Sequence, residues 1–150
     1  MLKAIPYGLH AIGVRHGEER NAFTANWVMQ CSFEPPMLAV AVENEGKSIG
    51  MIRGSGVLSV NVFGADQRRQ AGRLARSAAR APQKLQEMQY RDGSTGAPVL
   101  PETLGYVECR VVAEMGSGDH TIFVGEVVDA GVFREGQPLE IHAAGFTYGG

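Results

Sequence analysis

The sequence predicts a mainly β fold, a small antiparallel β-barrel with flanking helices over its openings. Three observations lead there. Glycine supplies 20 of the 150 residues, which implies many tight turns and close backbone approaches. At least six apolar or alternating runs of strand length follow one another, separated by turn residues. Only two stretches read as helices. With 44% hydrophobic and 20% charged residues, the chain is expected to form a single domain over residues 1–150. A chain of this length buries roughly 68–70% of its unfolded surface, enough for a core without disulfide staples.

In chain order, residues 9–16 ("LHAIGVRH") alternate as a strand, "GEER" turns the chain, and extended structure resumes towards Trp27. Residues 24–33 are expected to continue as one strand. Period two then puts Ala25, Trp27, Met29, Cys31 and Phe33 on one face, with Thr24, Asn26, Val28, Gln30 and Ser32 on the other. Pro35 and Pro36 donate no hydrogen bond and belong at a strand start or an edge. The nearly all-apolar run 37–43 fits a strand buried on both faces. Residues 47–56 ("KSIGMIRGSG") read as a short helix ending at glycine, and 57–63 as a second buried strand interrupted by Asn61. A longer helix is expected over 66–81, with Asp66 as N-cap, Ala71, Leu74, Ala75, Ala78 and Ala79 as its apolar stripe, and Pro82 as its stop. Residues 83–101 form an irregular but packed excursion. Strict alternation over 106–115 turns Val107, Cys109, Val111, Ala113 and Met115 inward, and "GSGDH" closes a hairpin with 121–133.

Composition narrows the function classes. A net charge of −2 gives no bulk attraction to nucleic acid. No apolar run approaches the roughly 20 residues of a membrane span, and the opening residues lack the pattern of a signal peptide. Cys31 and Cys109 lie far apart in apolar-looking runs, so a disulfide framework is not expected and a reducing, cytoplasmic setting fits.

The four histidines, His10, His16, His120 and His142, have no metal-ligand spacing, and no P-loop, GxSxG or GxGxxG motif occurs. No metal site is expected. Cys31 has no base nearby in sequence, so it reads as a small hydrophobe before it reads as a nucleophile. Arg68, Arg69, Arg73, Arg76 and Arg80 crowd one helix. They fit a solvated face, or contacts to a dinucleotide phosphate or an acidic partner.

The row Thr24, Asn26, Val28, Gln30 and Ser32 carries no charge, which is unusual for a strand facing bulk water. It suits either a polar subunit interface or a flat heteroaromatic ligand rich in donors and acceptors. At "GKS" (46–48) a helix opens. Its free N–H groups, the Ser48 hydroxyl and the Lys47 charge can meet one phosphate. Together these residues suggest a phosphate-tailed aromatic cofactor.

The blocks "NAFTANWVMQCSFEPPMLAVAVE", "GKSIGMIRGSGVLSVNVF", "TGAPVL", "YVECRVV" and "GDHTIFVGEVVDA" occur in an order that resembles the flavin reductase-like domains of the FMN-binding split-barrel group. The opening "IPYGLHAIGVRHGEERNAF" is similar to the flavoredoxin and high-molecular-weight-rubredoxin types. The resemblance implies FMN as cofactor, NADH or NADPH as electron donor, a homodimer with FMN at the subunit interface, and delivery of electrons to flavin or to a redox partner protein. It implies cofactor-binding roles for Thr24, Asn26, Trp27, Val28, Gln30, Cys31, Ser32, Lys47, Ser48 and Lys84, with Lys47 and Ser48 at the phosphate. It puts His120 near the ring face where nicotinamide docks; a hairpin residue bonded to Asp119 is the plainer reading. Leu85 follows Lys84 where many members have an aromatic, and the arginine-rich helix is no family feature. An electron-transfer module reduced by a partner protein, without its own nicotinamide site, is the alternative. An amine-phosphate oxidase needs an Arg/His-rich substrate pocket that is not found.

Overall fold

The computed structural model describes residues 1–149. In chain order its elements are β1 (His10–His16), β2 (Glu19–Ala25), β3 (Val28–Phe33), β4 (Pro36–Glu43), α1 (Lys47–Ser55), β5 (Val57–Val62), α2 (Arg68–Leu74), β6 (Arg91–Asp92), β7 (Pro98–Val99), β8 (Gly105–Ser117) and β9 (His120–Val132). Seven strands form one antiparallel sheet in the order β2-β1-β5-β8-β9-β4-β3. Its two edge strands are consecutive in the chain, joined only through Asn26 and Trp27. In a flat sheet six spacings of about 4.8 Å would hold those edges about 29 Å apart. Three Cα steps reach only about 11 Å. The sheet must therefore roll until its edges meet, which gives the expected barrel.

Ile12, Val14, Val40, Ile52, Leu58, Val60, Cys109 and Phe123 pack as one cluster against the rolled sheet. A second cluster, with Leu9, Phe63, Leu74, Leu85, Leu100, Leu139 and Ile141, lies beneath α2 and the excursion after it. The excursion thus packs as expected, through Leu85, Met88, Ala97, Val99 and Leu100. Asn61, the polar break in the buried strand, is itself a junction: its Nδ2 donates to Ala11 O at 3.1 Å, and its Oδ1 accepts from Leu100 N at 2.8 Å.

Four expectations need correction. The strand expected over 24–33 breaks at Asn26 and Trp27, because these residues carry the chain from one edge of the sheet to the other. Cys31 is exposed rather than buried, as are Met29 and Phe33 on the same edge strand, and a register shift falls between Gln30 and Ser32. The helix expected over 66–81 stops at Leu74. The Lys84 ammonium takes the carbonyls of Leu74 and Arg76 at 2.9 and 2.7 Å, the groups that a continuing helix would give to Ala78 and Arg80. Asp66 does not cap this helix; its carboxylate accepts from Arg134 Nη2 at 2.7 Å, and Gln67 occupies the N-cap position. Finally, register shifts at Glu108/Cys109 and Val111/Ala113 turn Ala113 and Met115 outward. Glu108, expected to face outward, is fully buried beneath the 93–95 turn, where its carboxylate accepts from the backbone N–H and hydroxyl groups of Ser94 and Thr95.

Candidate functional site

A cavity of about 560 Å³ opens where the end of β2, the link Asn26–Trp27, the end of β4 and the start of α1 converge. The segment after α2, Lys84 and residues 145–148 close its other sides. Of the residues singled out in the sequence, Thr24, Asn26, Trp27, Lys47, Ser48, Lys84 and His120 line it together. Val28, Gln30, Cys31 and Ser32 do not; they lie on the edge strand β3, outside the cavity of one chain.

The α1 end presents donors without protein partners. Gly46 precedes the helix with φ 139°, a conformation that side-chain-bearing residues rarely adopt, and no side chain caps the helix. The first amides of α1 therefore point outward without a partner from a cap. Ser48 Oγ accepts from Asn21 Nδ2 at 3.2 Å, which leaves the Ser48 hydrogen free to donate. Sequence reasoning missed Asn21, whose role shows only once β2 lies beside α1. The Lys47 ammonium lies at the same end, paired with the Glu19 carboxylate across a half-exposed contact.

Asn26 is 5% exposed, and its Nδ2 finds no hydrogen-bond partner among the described residues. A buried amide donor without a partner costs about 1–3 kcal/mol, so an acceptor in the cavity is the expected complement. Thr24 differs, since its hydroxyl donates to Ala71 O at 2.6 Å and keeps only its acceptor side for a ligand. At the opposite wall, burial and the nearby Arg76 guanidinium push the Lys84 amine down to about 8. Arg76 lines the wall while bonded to Glu87 at 3.2 Å, and Arg68 reaches back to Ala144 O and the Phe146 ring. The remaining arginines of the cluster, Arg69, Arg73 and Arg80, are exposed.

His120 opens β9 directly after the Gly118–Asp119 turn, where Gly118 takes the positive φ of 65° that the turn requires. Its Nδ1 lies 2.6 Å from Asp119 Oδ1, and its Nε2 lies 2.8 Å from the Tyr148 hydroxyl. Hydrogen bonding to His120 holds the Asp119 carboxyl below its ordinary range. Trp27 packs at 4.8 Å from the imidazole and 5.1 Å from the Tyr148 ring. The hairpin contact to Asp119 is therefore present, and the His120 ring also lines the cavity. Tyr148 carried no signal in the sequence beyond one aromatic among glycines.

Comparison with known proteins identifies the family of the chain. The model of the family described as flavin reductase like domain matches residues 2–150. A ferric-chelate reductase (NAD(P)H) of Archaeoglobus fulgidus is 29% identical over 137 residues, covering 90% of this chain and 81% of its own. An NADH-dependent flavin reductase of a Rhodococcus species is 30% identical over 131 residues, covering 87% and 68%. Among solved structures, BorF, the flavin reductase component of a bacterial two-component tryptophan halogenase, superposes with a TM-score of 0.84 at 29% identity, over 95% of this chain and 89% of its own. On the match across nearly its whole length, the chain belongs to the flavin reductase-like domain family.

Proposed function

We propose that this protein is an NAD(P)H-dependent flavin oxidoreductase that holds FMN in the cavity between α1 and His120. The observation that carries the FMN assignment is the pairing of an uncapped helix start with an orphaned amide in one cavity. The amides of α1, the Ser48 hydroxyl and the Lys47 ammonium bind the phosphate. Asn26 supplies the donor that lacks a protein partner, Trp27 gives an aromatic wall, and Lys84 adds positive charge from the far side. When bound, flavin supplies the hydride-accepting chemistry, so no acid or base on the chain is essential. The chain's task is to fix the ring, exclude water and lay positive charge near the place where negative charge accumulates.

The protein acts as a homodimer. Met29 and Phe33 on β3, Val112 and Met115 on β8, and Val128 on β9 are all exposed, at 63%, 89%, 50%, 62% and 45%. Exposed large apolar side chains of this kind call for cover, and a second copy is the commonest one. Val28, Gln30, Cys31 and Ser32 then face the shared interface and keep their proposed place beside the flavin. Electrons leave to free flavin or to a partner protein. The setting is cytoplasmic, as the free thiols Cys31 and Cys109 suit a reducing compartment. No helix among the described residues is long and apolar enough to cross a membrane.

Trp27 is the single tryptophan, so its fluorescence reports on the cavity alone. Titration with FMN, FAD and riboflavin should quench it, with FMN binding tightest and riboflavin about ten-fold or more weaker for want of the phosphate, as the loss of a charge-assisted hydrogen bond implies. Equal affinity for FMN and riboflavin would place no phosphate at α1.

A further inference from the structure

Of the 14 lysines and arginines in the chain, six fall between Gln67 and Gln86, together with none of its 16 carboxylates. The rest of the chain therefore carries an excess of eight negative charges. Arg68, Arg69, Arg73, Arg76 and Arg80 are all exposed. Arg68 is held by Ala144 O and Arg76 by Glu87. Elsewhere on the surface cations meet carboxylates: Arg20 with Asp92, Lys47 with Glu19, Arg53 with Glu114 and Arg134 with Asp66. Among the described residues, no carboxylate pairs with Arg69, Arg73 or Arg80.

These charges work against the helix that carries them. Arg68 and Arg69 open α2, whose first turn holds no acidic residue, so they meet the positive end of the helix dipole. Arg69 and Arg73 stand four residues apart on one helix face, where like charges repel. The usual solvated helix face mixes signs at this spacing. The backbone beneath the arginines is nonetheless tied down. Lys84 takes the carbonyls of Leu74 and Arg76, and Thr24 holds that of Ala71. Ser77 O accepts from Arg80 N at 3.1 Å and from Ala81 N at 2.9 Å. The result is a cationic surface fixed in advance, and it is continuous with the cavity because Arg76 belongs to both.

We propose that Arg69, Arg73 and Arg80 form a docking surface for the acidic face of a protein that takes electrons from the cavity. None of the three lines the cavity, and a small molecule needs a concave site, whereas a protein face does not. Guanidinium groups bind carboxylates through two hydrogen bonds at once, and arginine is enriched in protein interfaces. A nucleic acid fits less well. Residues 67–86 include no aromatic side chain on which bases could stack, and the negative remainder of the chain repels a long polyanion. The proposal rests on the flavin oxidoreductase reading for what the partner receives, but not for the docking. Two electrons leave the reduced protein, one to each of two one-electron acceptor centres, and the protons of the reduced flavin pass to solvent. Arginine keeps its charge at every working pH, so salt and not pH tunes the contact.

The probes are plastocyanin in its copper(II) form, an acidic one-electron acceptor, and ferric cytochrome c, a basic one. At low ionic strength the full chain, with or without FMN, should bind plastocyanin in isothermal titration. Arg69→Gln with Arg73→Gln and Arg80→Gln removes three charges from side chains that hold no carboxylate, so FMN affinity and melting temperature should stay at wild-type values. The triple variant should bind plastocyanin on the order of ten-fold more weakly. Salt at about 0.5 M should bring the wild type down to the level of the variant. With the FMN reduced by dithionite, so that no nicotinamide nucleotide takes part, the variant should reduce plastocyanin more slowly by the same factor and cytochrome c no more slowly. Absent plastocyanin binding by the wild type, or equal binding by wild type and variant, would overturn the proposal. A duplex DNA oligonucleotide that binds more tightly than plastocyanin, and loses that binding in the variant, would overturn it too. If the chain takes up no FMN, the flavin oxidoreductase reading fails instead, and the titration without flavin still decides the docking.

Discussion

At the scale of single residues, the cavity divides its labour between groups already paired within the protein and groups left open. Thr24 has spent its hydrogen on Ala71, whereas Ser48 keeps its own because Asn21 fills its acceptor side. Lys47 is shared with Glu19 in a contact half exposed to solvent, where an ion pair is worth about 0–1 kcal/mol. A phosphate competes well for such a lysine. Replacing both residues (Ser48→Ala with Lys47→Ala) should weaken FMN binding roughly ten- to hundred-fold, about 1.4–2.8 kcal/mol, and leave the melting temperature within a few degrees of wild type. Fluorescence titration of Trp27 measures the first and thermal unfolding the second. Unchanged affinity in that double variant would move the phosphate away from α1. Asn26 was legible in the sequence as one of a neutral polar row. Asn21 was not, since nothing local distinguishes an asparagine that orients a hydroxyl on a distant helix.

At the scale of elements, the sequence pattern gave most strands and misjudged what interrupts them. Mostly apolar runs such as 37–43 and 57–63 appear as β4 and β5 because strands buried on both faces accommodate them. Bulges escaped notice: period two assumes one residue per pairing step, and each shift in β8 or β3 inverts the faces that follow. Glu108 escaped for another reason: the 93–95 turn packs over its face of β8, and its carboxylate ties down Ser94 and Thr95. The early end of α2 escaped for a different reason, as Lys84 acts from ten residues away on a carbonyl that helix propensity assigns locally.

That lysine has a consequence for pH. The folded protein holds its amine at about 8, below the ordinary 10.5, chiefly through burial. Between those values the unfolded chain binds the proton and the folded chain does not, so this group makes stability rise with pH across that window. The neutral amine keeps two hydrogens, enough for Leu74 and Arg76. In urea unfolding of the flavin-free protein, wild type minus Lys84→Met should therefore become more favourable from pH 8 to pH 10. A difference that stays flat across that range would show that the amine is not desolvated.

At the scale of the whole molecule, the rolled sheet explains why the site lies where it does. Both edges of the sheet end at Asn26 and Trp27, so the join leaves backbone and side chains facing a cleft instead of a neighbouring strand. Helix α1 and the segment after α2 flank that cleft, one offering amides and the other cations. Large apolar side chains on β3, β8 and β9 remain exposed in the single chain. Light scattering of the FMN-loaded protein should accordingly give twice 16.1 kDa. A mass of one chain at micromolar concentration would mean that Gln30, Cys31 and Ser32 have no second subunit to meet. The family resemblance was visible in the order of sequence blocks, and the match over residues 2–150 bears it out. The route of the electrons was not visible, because the flavin carries the chemistry and asks the chain for position and charge only.

The most direct test of the central claim is anaerobic mixing of the FMN-loaded protein with NADH or NADPH in a stopped-flow spectrometer. An NAD(P)H-dependent flavin oxidoreductase should lose the visible absorbance of its flavin within the reaction, stoichiometrically with nucleotide consumed, and regain it when an acceptor is admitted. His120→Ala should bind FMN as wild type does and bleach on the order of a hundred-fold more slowly, as expected when ring-to-ring placement is disturbed. Flavin that stays oxidised with both nucleotides, yet bleaches when a reduced partner protein is supplied, would contradict the account and leave an electron-transfer module in its place.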